Sequence, residues 1–519
     1  MERILTVDQM KFCEQKSAET GVSLAQLMDN AGERLAEHIL SVCKEKMTKN
    51  VVILAGKGNN GGDGLVAANI LYESGVTPTV LLCCGMPATD LSKAAYKRLH
   101  KDIVKAEYAP ETHSGLIKQT DIIADCIFGT GFAGEIRDGM RPLFENIEAS
   151  NAFKIACDIP SGVNARSGEV SQGSVKADTT VTFHCKKTGM VLSPGKYFCG
   201  NIIVCKIGIP ETEELLGDPR LAEVITLQDG MRHMRSLLPE REPWGHKGTF
   251  GKLISVCGSE SYVGAAGISA ISALRTGVGL VDLCTPKAVI GSLSSNIPEC
   301  VYSAMKNDSE GFMTSENAER ILEKCRSSQC LLIGCGLGHT FETERLTAEL
   351  AENAEIPIII DADGINSLCP NIDVLLKRRS ETVILTPHPA ELARLCGVTL
   401  HEILSDRYRY ASELSKKYGV TVVSKGAETM ICSGGITRLI CVGNTALAKG
   451  GSGDMLAGII SSLTAQAPGN AANNALLGCY IMGKTAEMLS EERSCRGILA
   501  HDIINALPYF LKKLEDTEE

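Results

Sequence analysis

The chain repeats one pattern along most of its length, in which a short apolar run is followed by a loop and a stretch of helical periodicity. Apolar runs that fit buried strands lie at 51–55, 77–84, 121–128, 153–158, 179–184 and 201–208, and again at 252–258, 280–286, 330–336, 357–364, 382–387 and 421–426. Strands that are apolar throughout and alternate with helices are typical of parallel sheets covered on both faces. The sequence therefore predicts an α/β fold.

A charged segment without clear periodicity, ETEELLGDPRLAEV, separates the two series of strands. We predict a Rossmann-like three-layer domain over residues 1–212, a linker over 213–227 and a second α/β domain over 228–519. The 51 glycines and the low share of aromatic residues, 4%, suit many tight turns between strands and helices. They argue against a β-sandwich, a collagen-like repeat or disorder.

Charge and cysteine usage narrow the class of partner. The net charge of −10 offers no basic surplus for a nucleic-acid backbone. The N-terminal residues lack the apolar stretch of a secretory signal, and no run reaches the ~18 apolar residues of a membrane span. Many of the 21 cysteines lie inside apolar runs without zinc-binding spacing. We therefore expect a cytoplasmic protein without a nucleic-acid or membrane partner, and a large α/β protein of this kind is also expected to form homo-oligomers.

The first glycine-rich loop, AGKGNNGGDG, follows the strand at 51–55. It matches the dinucleotide pattern G-x-G-x-x-G at Gly56, Gly58 and Gly61, but the next strand lacks the acidic residue that would hold a ribose. It also lacks the Gly-Lys-Ser/Thr ending of a P-loop. Backbone amides at the start of a following helix would still attract an anion.

Oxygen-bearing side chains follow several of these strands. We expect the helix after the first glycine-rich loop to begin at about Leu65. One interpretation of the loop is a tight turn in which Asp63 caps this helix. Asn60, Asp125 and Ser161 also follow strands, and the carboxyl ends of parallel strands share one edge of a sheet. Amide, carboxylate and hydroxyl oxygens without His or Cys suit a hard cation rather than zinc.

Three motifs of the first half, GNNGGDG, D-x-x-F-G-T-G and DIPSG-x-N, together resemble the NAD(P)H-hydrate epimerase family over nearly all of residues 1–212. The resemblance implies that Asp158 of DIPSG contacts the damaged nicotinamide nucleotide and transfers a proton. It implies that Asn60, Asp125 and Ser161 bind potassium. The residues that it places around the ligand are Asn59, Asn60, Gly61, Gly62, Asp63, Gly129, Thr130, Gly131, Phe132, Ala133, Gly134 and Glu135.

A second glycine-rich turn, KGGSGD, leads into an apolar helical stretch. Gly450, Gly451 and Gly453 allow backbone N–H groups to face developing phosphate charge, assisted by the helix dipole. Asp454 follows directly and could take a proton from a hydroxyl. Phosphoryl transfer needs little more than such an anion hole, a base and a metal. The alternative is a helix-capping aspartate in a glycine-rich loop.

Further candidate residues follow other strands of the second half. The segment KGAET (425–429) suits the phosphates or sugar of a nucleotide, and His388 lies between two prolines that fix its backbone. Asp361 and Asp363 could hold magnesium through water. We expect HKGTFG (246–251) and VGAAGIS (263–269) to flank the first strand and cover the ligand.

The motifs HKGTFG, TPHPAE, KG-x-x-T and N-T-x-x-x-x-GGSGD resemble, in this order, the ADP/ATP-dependent NAD(P)H-hydrate dehydratase family over about residues 228–510. The resemblance implies a ribokinase-like fold and an enzyme that phosphorylates the hydroxyl of the hydrated ring and then eliminates phosphate. It makes Asp454 the base. The implied nucleotide contacts are Lys425, Gly426, Ala427, Glu428, Thr429 and Gly453, and the implied hydrate contacts are Ala265, Gly338, His388 and Asp454.

The two halves together predict a bifunctional nicotinamide-nucleotide repair enzyme. One half would interconvert the R and S hydrates, NAD(P)HX, and the other would dehydrate the S hydrate to NAD(P)H. The expected cofactors are K⁺ and Mg²⁺, with ADP or ATP as co-substrate; ADP is expected by analogy with fused bacterial members. Two alternatives stay open: a kinase for a small alcohol, since ribokinase-like folds accept many substrates, and an N-terminal half that only binds or scaffolds.

Overall fold

A computed structural model describes residues 2–210, 221, 224–228 and 230–518. The chain divides into two compact units between residues 224 and 225. Of the predicted linker, residues 213–220, 222 and 223 lie outside the described residues.

The N-terminal unit is built on a parallel sheet of order β4-β3-β2-β5-β6-β7-β9. A separate parallel pair, β1 and β8, places Ile4 opposite Lys186. The strands of this unit are β1 (Glu2–Leu5), β2 (Val51–Ala55), β3 (Thr79–Leu82), β4 (Val104–Glu107), β5 (Ile122–Cys126), β6 (Phe153–Cys157), β7 (Thr179–Phe183), β8 (Lys186–Lys187) and β9 (Asn201–Cys205).

Helices cover both faces of this sheet. They are α1 (Val7–Glu19), α2 (Leu24–Glu45), α3 (Asn59–Glu73), α4 (Asp90–Lys97), α5 (Pro110–Gln119), α6 (Arg141–Glu148) and α7 (Thr188–Val191). Successive residues of a strand point to opposite faces. Ile53 accordingly packs in the core formed with α1 to α4, and Leu54 packs in the core formed with α5 and α6. The predicted three-layer α/β architecture is confirmed.

The C-terminal unit contains a sheet of order β13-β12-β11-β14-β15-β16-β17-β18-β19. Its strands are parallel up to β17, and β17, β18 and β19 are antiparallel. The strands from residue 224 onward are β10 (Val224–Gln228), β11 (Lys252–Val256), β12 (Leu280–Pro286), β13 (Val301–Met305), β14 (Cys330–Ile333), β15 (Ile358–Ile360), β16 (Val383–Leu385), β17 (Thr421–Ser424), β18 (Thr429–Ser433) and β19 (Ile436–Ile440).

The helices of this unit are α8 (Met231–Leu237), α9 (Val263–Arg275), α10 (Lys287–Leu293), α11 (Ala318–Cys325), α12 (Phe341–Asn353), α13 (Asp363–Leu368), α14 (Pro389–Cys396), α15 (Leu400–Ser405), α16 (Arg407–Tyr418), α17 (Ser452–Gln466), α18 (Ala471–Ser490) and α19 (Ala500–Glu515). Residues of α9, α17, α18 and α19 form one apolar core with one face of the strands, as Leu253, Leu332 and Ile459 illustrate. Ile254 and Ile333 are fully buried as well, so the central strands are covered on both faces.

Two predictions about local structure were wrong. The helix expected from about Leu65 begins at Asn59, so the NNGGDG segment is helical. The strands β1, β4, β8, β10, β13, β18 and β19 were not predicted. β4 has the sequence VKAE and is largely exposed, so it lacks the apolar run by which the other strands were found.

The cysteines are free thiols, and most of them are buried, as the sequence indicated; Cys441 is exposed. Within the described ranges, no helix is long and apolar enough to cross a bilayer.

Candidate active sites

In the N-terminal unit, the motif residues lie at the carboxyl ends of β2, β5 and β6. These three strands are neighbours, with β5 between the other two. The helix α3 begins directly after β2, with Gly58 as its N-cap. The turn is tight because a Cβ at Gly56 would clash with the carbonyl of Ile127, and a Cβ at Gly62 would lie 2.6 Å from Cε of Met28. The glycines therefore serve close packing between helix, strand and neighbouring loop.

The structure brings together Asn60, Asp125 and Ser161, the three predicted cation ligands. The hydroxyl of Ser161 donates to Oδ1 of Asp125 over 2.6 Å, and the backbone N–H of Ser161 donates to Oδ2 over 2.8 Å. Nδ2 of Asn60 donates to the carbonyl of Phe128 over 3.0 Å. That carbonyl also lies 3.4 Å from the hydroxyl of Ser161. The side chains of this cluster all carry oxygen atoms, which are the ligands that a hard cation prefers.

Asp125 is fully buried, and its hydrogen-bond donors are the neutral groups of Ser161 and the backbone N–H of Ile127. Burial raises the pKa of this carboxyl to about 6, although the hydrogen bonds from Ser161 oppose the shift. A buried carboxylate without a charged partner is costly. The site therefore favours a bound cation.

Asp158 follows β6 in a left-handed conformation, with φ of 65°, which a non-glycine residue rarely adopts. Its Oδ1 accepts hydrogen bonds from the hydroxyl of Thr182 over 3.0 Å, from the ammonium of Lys187 and, at 3.4 Å, from the backbone N–H of Phe183. The side chain is 15% exposed, whereas that of Lys187 is 1% exposed. Asp158 is thus the part of this ion pair that a ligand can reach.

Two further carboxyls belong to the surroundings of Asp158. Burial and the charge of Asp158 raise the pKa of Asp63, on α3, well above its usual value. Burial raises the pKa of Glu14, on α1, to about 7, and the charge of Asp158 adds to the shift. Lys187 opposes both shifts. At neutral pH a proton therefore remains on one or both of these carboxyls.

The loop 129–135 is mostly open to solvent. Its first residue, Gly129, lies against Asn60, because a Cβ there would be 3.3 Å from Oδ1 of Asn60. The ring of Phe132 stacks on that of Phe128, with 5.1 Å between centroids. At the other end, Glu135 accepts a hydrogen bond from the hydroxyl of Ser171 over 2.6 Å. The loop is thus anchored at both ends beside the cation ligands.

In the C-terminal unit, Asp454 lies in the first turn of α17, after the N-cap Gly451 with its φ of 89°. A Cβ at Gly451 would lie 2.7 Å from Cδ1 of Ile268, so a side chain would be both strained and crowded. Burial, and then the charge of Asp361, raise the pKa of Asp454 to about 6. Asp454 is therefore placed at a helix start and remains mostly ionised at neutral pH.

Opposite Asp454 lies a buried ion pair. Nζ of Lys425 is 2.7 Å from Oδ1 of Asp361, which also accepts the hydroxyl of Thr386 over 2.6 Å. Burial acts to lower the pKa of Lys425, but Asp361 and Glu391 outweigh it and raise the pKa. Carboxylate oxygens of Asp361 and Asp454 and the thiol of Cys335 lie within 4.8 Å of one another.

His388 is the N-cap of α14. Its Nδ1 accepts the backbone N–H groups of Ala390 over 3.1 Å and Glu391 over 3.3 Å. Burial, and then the charge of Lys425, lower the pKa of this imidazole. The ring is therefore neutral with its proton on Nε2, which lies 3.3 Å from Oε1 of Glu391, and the imidazole is a poor base.

Glycines bring the loop after β14 close to its neighbours. Gly336 has a φ of 64°, and a Cβ there would lie 2.8 Å from Cβ of Ala265. The backbone N–H of Gly338 donates to Oδ2 of Asp363 over 2.9 Å. Ala362, between Asp361 and Asp363, has a positive φ of 49°. Ala265, on α9, thus lies against the loop that carries Gly338, and this loop also reaches Asp363.

The predicted nucleotide loop 425–429 is held by Arg407, which the sequence analysis missed. The guanidinium of Arg407 donates to the carbonyl of Lys425 over 3.1 Å and to that of Glu428 over 2.5 Å. A Cβ at Gly426 would clash with Nη1 of Arg407, so a side chain at this position would displace the guanidinium. Gly453 faces the same region, since a Cβ there would lie 3.5 Å from Nζ of Lys425.

The segment 246–251 does not lie at this edge. It precedes β11, and the backbone N–H of Gly279, before β12, donates to the carbonyl of Phe250 over 3.0 Å. A Cβ at Gly251 would clash with the carbonyl of Ala465, near the end of α17. The prediction that HKGTFG covers the ligand of its own unit was therefore wrong, because the segment lies at the amino edge of the sheet and Asp454 at the carboxyl edge.

Comparison with known proteins matches both units. A family described as "YjeF-related protein N-terminus" matches residues 24–189, and one described as "NAD(P)H-hydrate dehydratase" matches residues 253–509. The bifunctional NAD(P)H-hydrate repair enzyme Nnr of Thermofilum pendens is 35% identical to this chain over 527 aligned residues, which cover 100% of this chain and 98% of that protein. The chain belongs to the bifunctional NAD(P)H-hydrate repair enzymes.

Other relatives agree with this family. The enzyme of the same name from Moorella thermoacetica is 32% identical to this chain, and the alignment covers 97% of this chain and 95% of that protein. A ribokinase-like superfamily protein of Enterococcus faecalis, 23% identical, aligns with a TM-score of 0.50 over 56% of this chain and 97% of its own. The last likeness concerns the fold alone and confirms the predicted ribokinase-like fold.

The sequence patterns did not reveal several residues that lie beside the predicted site residues. Lys187 and Glu14 lie at the N-terminal site, and Arg407 and Glu391 lie at the C-terminal one. A signal was present only for Lys187, since a pair of lysines follows the apolar strand TTVTF after two intervening residues. Glu14 lies on an amphipathic helix outside the matched family range, where an acidic residue is expected on the solvent side.

Proposed function

We propose that this repair enzyme interconverts the two hydrates of NAD(P)H at the carboxyl edge of its N-terminal sheet and dehydrates one of them at the carboxyl edge of its C-terminal sheet. The main support is that each unit gathers a partly exposed aspartate, a glycine-rich helix start and further polar side chains at that edge. Substrates bind at this edge in open α/β sheets. We assign residues 1–212 to the epimerase and 228–519 to the dehydratase.

In the epimerase, Asp158 is the proton-transfer residue. Inversion at the ring carbon that bears the hydroxyl requires breaking its bond to oxygen or to the ring nitrogen, and either path moves a proton at the hydroxyl. Asp158 is accessible and fixed by its partners, as a general base should be. We propose that segment 59–63 and loop 129–135 bind the nucleotide around it.

Potassium is the proposed cation of the epimerase, held by Asn60, Asp125 and Ser161. Asp125 is a fully buried carboxylate with neutral donors, and the neighbouring groups are amide, hydroxyl and carbonyl oxygens. This donor set fits a hard cation and would not select zinc. Bound there, potassium would neutralise Asp125 and fix the loop that begins at Gly129.

Replacing K⁺ by tetramethylammonium, which is too large for such a cluster, is expected to slow epimerisation by roughly tenfold and to leave dehydration unchanged. A buried charge that loses its partner costs ~1–3 kcal/mol, which corresponds to this factor. Rates of epimer exchange, followed by separating the two hydrates chromatographically, measure the effect. The Asp125→Asn variant is the control, because it should be slow in both salts. Equal rates for the wild type in both salts would contradict the potassium site.

In the dehydratase, Asp454 is the base that takes the proton of the ring hydroxyl as the hydroxyl attacks the terminal phosphate. The backbone N–H groups at the start of α17 face the charge that develops on that phosphate. We propose that residues 425–429 and Gly453 bind the adenine nucleotide. Ala265, Gly338 and His388 would bind the hydrate. Elimination of the new phosphate then restores the reduced ring.

Magnesium is proposed as the companion of the nucleotide phosphates and not as an ion held by a site of its own. The Cys335, Asp361 and Asp454 cluster contains a thiol, which is a poor ligand for Mg²⁺. Asp361 also already pairs with Lys425. The preferred nucleotide is proposed to be ADP, and the enzyme is proposed to be a cytoplasmic homo-oligomer. The many buried thiols support a reducing compartment.

A mixture of the two NAD(P)H hydrates tests both reactions at once. With ADP or ATP and Mg²⁺, we expect complete recovery of the absorbance of the reduced nicotinamide, and the faster nucleotide identifies the phosphoryl donor. Recovery of one epimer only, with the other at its spontaneous rate, would contradict the epimerase assignment. No recovery with either nucleotide, together with phosphorylation of a small alcohol, would contradict the dehydratase assignment in favour of a kinase.

A further inference from the structure

Lys187 is a buried cation at the epimerase site that the mechanism above does not yet use. It lies on β8, and its side chain is 1% exposed. Its ammonium donates to Oδ1 of Asp158, to the hydroxyl of Thr182 over 2.8 Å and to the carbonyl of Phe183 over 3.1 Å. An ammonium has three N–H donors. All three are thus taken by the protein, and Lys187 acts through Asp158 instead of on the substrate.

The hydrogen bonds to Asp158 are one-sided. Among the described residues, the donors to its carboxylate are Thr182, Phe183 and Lys187, and all of them donate to Oδ1. The other oxygen, Oδ2, accepts no hydrogen bond from these residues and is not a buried atom without a partner, so solvent reaches it. The carboxylate is therefore held by one oxygen in a fixed orientation while the second remains available to a ligand.

The charges around Asp158 explain why a cation is needed. The carboxyls of Asp63 and Glu14 approach it from α3 and α1, and the thiol of Cys157 precedes it on β6. Among the described residues, the charge of Lys187 lowers the pKa of both neighbouring carboxyls, whereas Lys11 lowers only that of Glu14. Three carboxyls around one buried cation cannot all be ionised at low cost.

We propose that Lys187 is the positioning residue of the epimerase: together with Thr182 it holds Oδ1 of Asp158, so that Oδ2 is directed at the substrate. This inference rests on the proposed role of Asp158. Asp63 and Glu14, whose pKa values burial raises, are the available acids of this cluster. Asp158 takes the proton of the ring hydroxyl, the electron pair of that O–H bond forms a carbonyl, and the bond to the ring nitrogen breaks. The nitrogen receives a proton from Asp63 or Glu14, and ring closure from the opposite face reverses both transfers.

The Lys187→Met variant of the full chain tests this role, since methionine keeps an unbranched chain and removes the charge. We expect kcat for epimerisation to fall at least about tenfold, with KM changed by less than about threefold. The loss should be larger at pH 6 than at pH 9, because removing the cation from a cluster of carboxyls favours their protonated forms. Lys186→Met, at the adjacent position, is the matched control and should epimerise as the wild type does.

A second pair of variants covers the case in which Lys187→Met does not fold, which thermal unfolding of the full chain detects. Asp158→Asn and the double variant Asp158→Asn/Lys187→Met should have the same residual epimerisation rate, because Lys187 has no carboxylate left to hold. A further loss in the double variant would overturn the proposal, as would a folded Lys187→Met variant with the kcat and pH profile of the wild type. An active Asp158→Asn variant would instead refute the assignment of Asp158, and with it this inference.

Discussion

The Asp454→Asn variant is expected to lose dehydration by about a thousandfold or more and to interconvert the hydrates at the wild-type rate. A positioned general base contributes roughly 10²–10⁴ to a rate, and an amide cannot accept the hydroxyl proton. The change preserves the shape of the side chain in the first turn of α17. The measurement is recovery of reduced-nicotinamide absorbance from the hydrates with ADP or ATP, beside the epimer ratio without nucleotide.

The role of Asp454 as the base also predicts how dehydration by the wild type depends on pH. Burial raises the pKa of Asp454 to about 6, and the base must be ionised to act. Dehydration is therefore expected to be maximal above this pH and to fall as the pH decreases through about 6, approaching tenfold per pH unit below it. The Asp454→Asn variant should lack this step, because the group that titrates is gone.

Asp502→Asn is a suitable control, since Asp502 also lies in the first turn of a helix of the same unit. It should dehydrate at close to the wild-type rate. Undiminished dehydration in the Asp454→Asn variant would mean that another group is the base. Loss of both activities in a folded Asp454→Asn protein would mean that the two reactions do not have separate sites.

The placement of both sites follows from strand direction, which the sequence already indicates. Buried parallel strands are apolar throughout, and the residues that follow them meet at one edge. This is why Asn60, Asp125 and Ser161 could be grouped before any geometry was known. The same rule also predicts that residues before a strand lie at the opposite edge. Applied to HKGTFG, it would have placed residues 246–251 correctly.

Other features depend on tertiary contacts that no local pattern carries. Glycine is a poor helix former, so NNGGDG was predicted as a loop, yet the segment is helical and a Cβ at Gly61 would clash with the carbonyl of Gly56. Arg407 reaches the carbonyls of Lys425 and Glu428 across about twenty residues of chain. The sequence alone shows an arginine at a helix start, where it would ordinarily be solvated.

The Asp158→Asn variant is expected to show the converse of Asp454→Asn. Epimerisation should fall by roughly 10²–10⁴, and the reactive hydrate should still be dehydrated at the wild-type rate. The variant leaves the ammonium of Lys187 without its carboxylate, and breaking a buried ion pair costs ~3–5 kcal/mol. The midpoint of thermal unfolding therefore has to be measured beside the rates, and Asp158→Asn/Lys187→Met, which removes both charges, is the matched comparison for stability.

Mixing the two single variants separates a lost site from a damaged protein. Asp158→Asn alone should recover only the share of NAD(P)H that starts as the reactive hydrate, followed by a slow phase at the spontaneous rate of epimer exchange. Adding Asp454→Asn, which supplies the epimerase, should convert the slow phase into a fast one and restore complete recovery. If both folded variants retained their single activities and the mixture still showed the slow phase, the hydrate would have to pass between the sites of one molecule without entering solution.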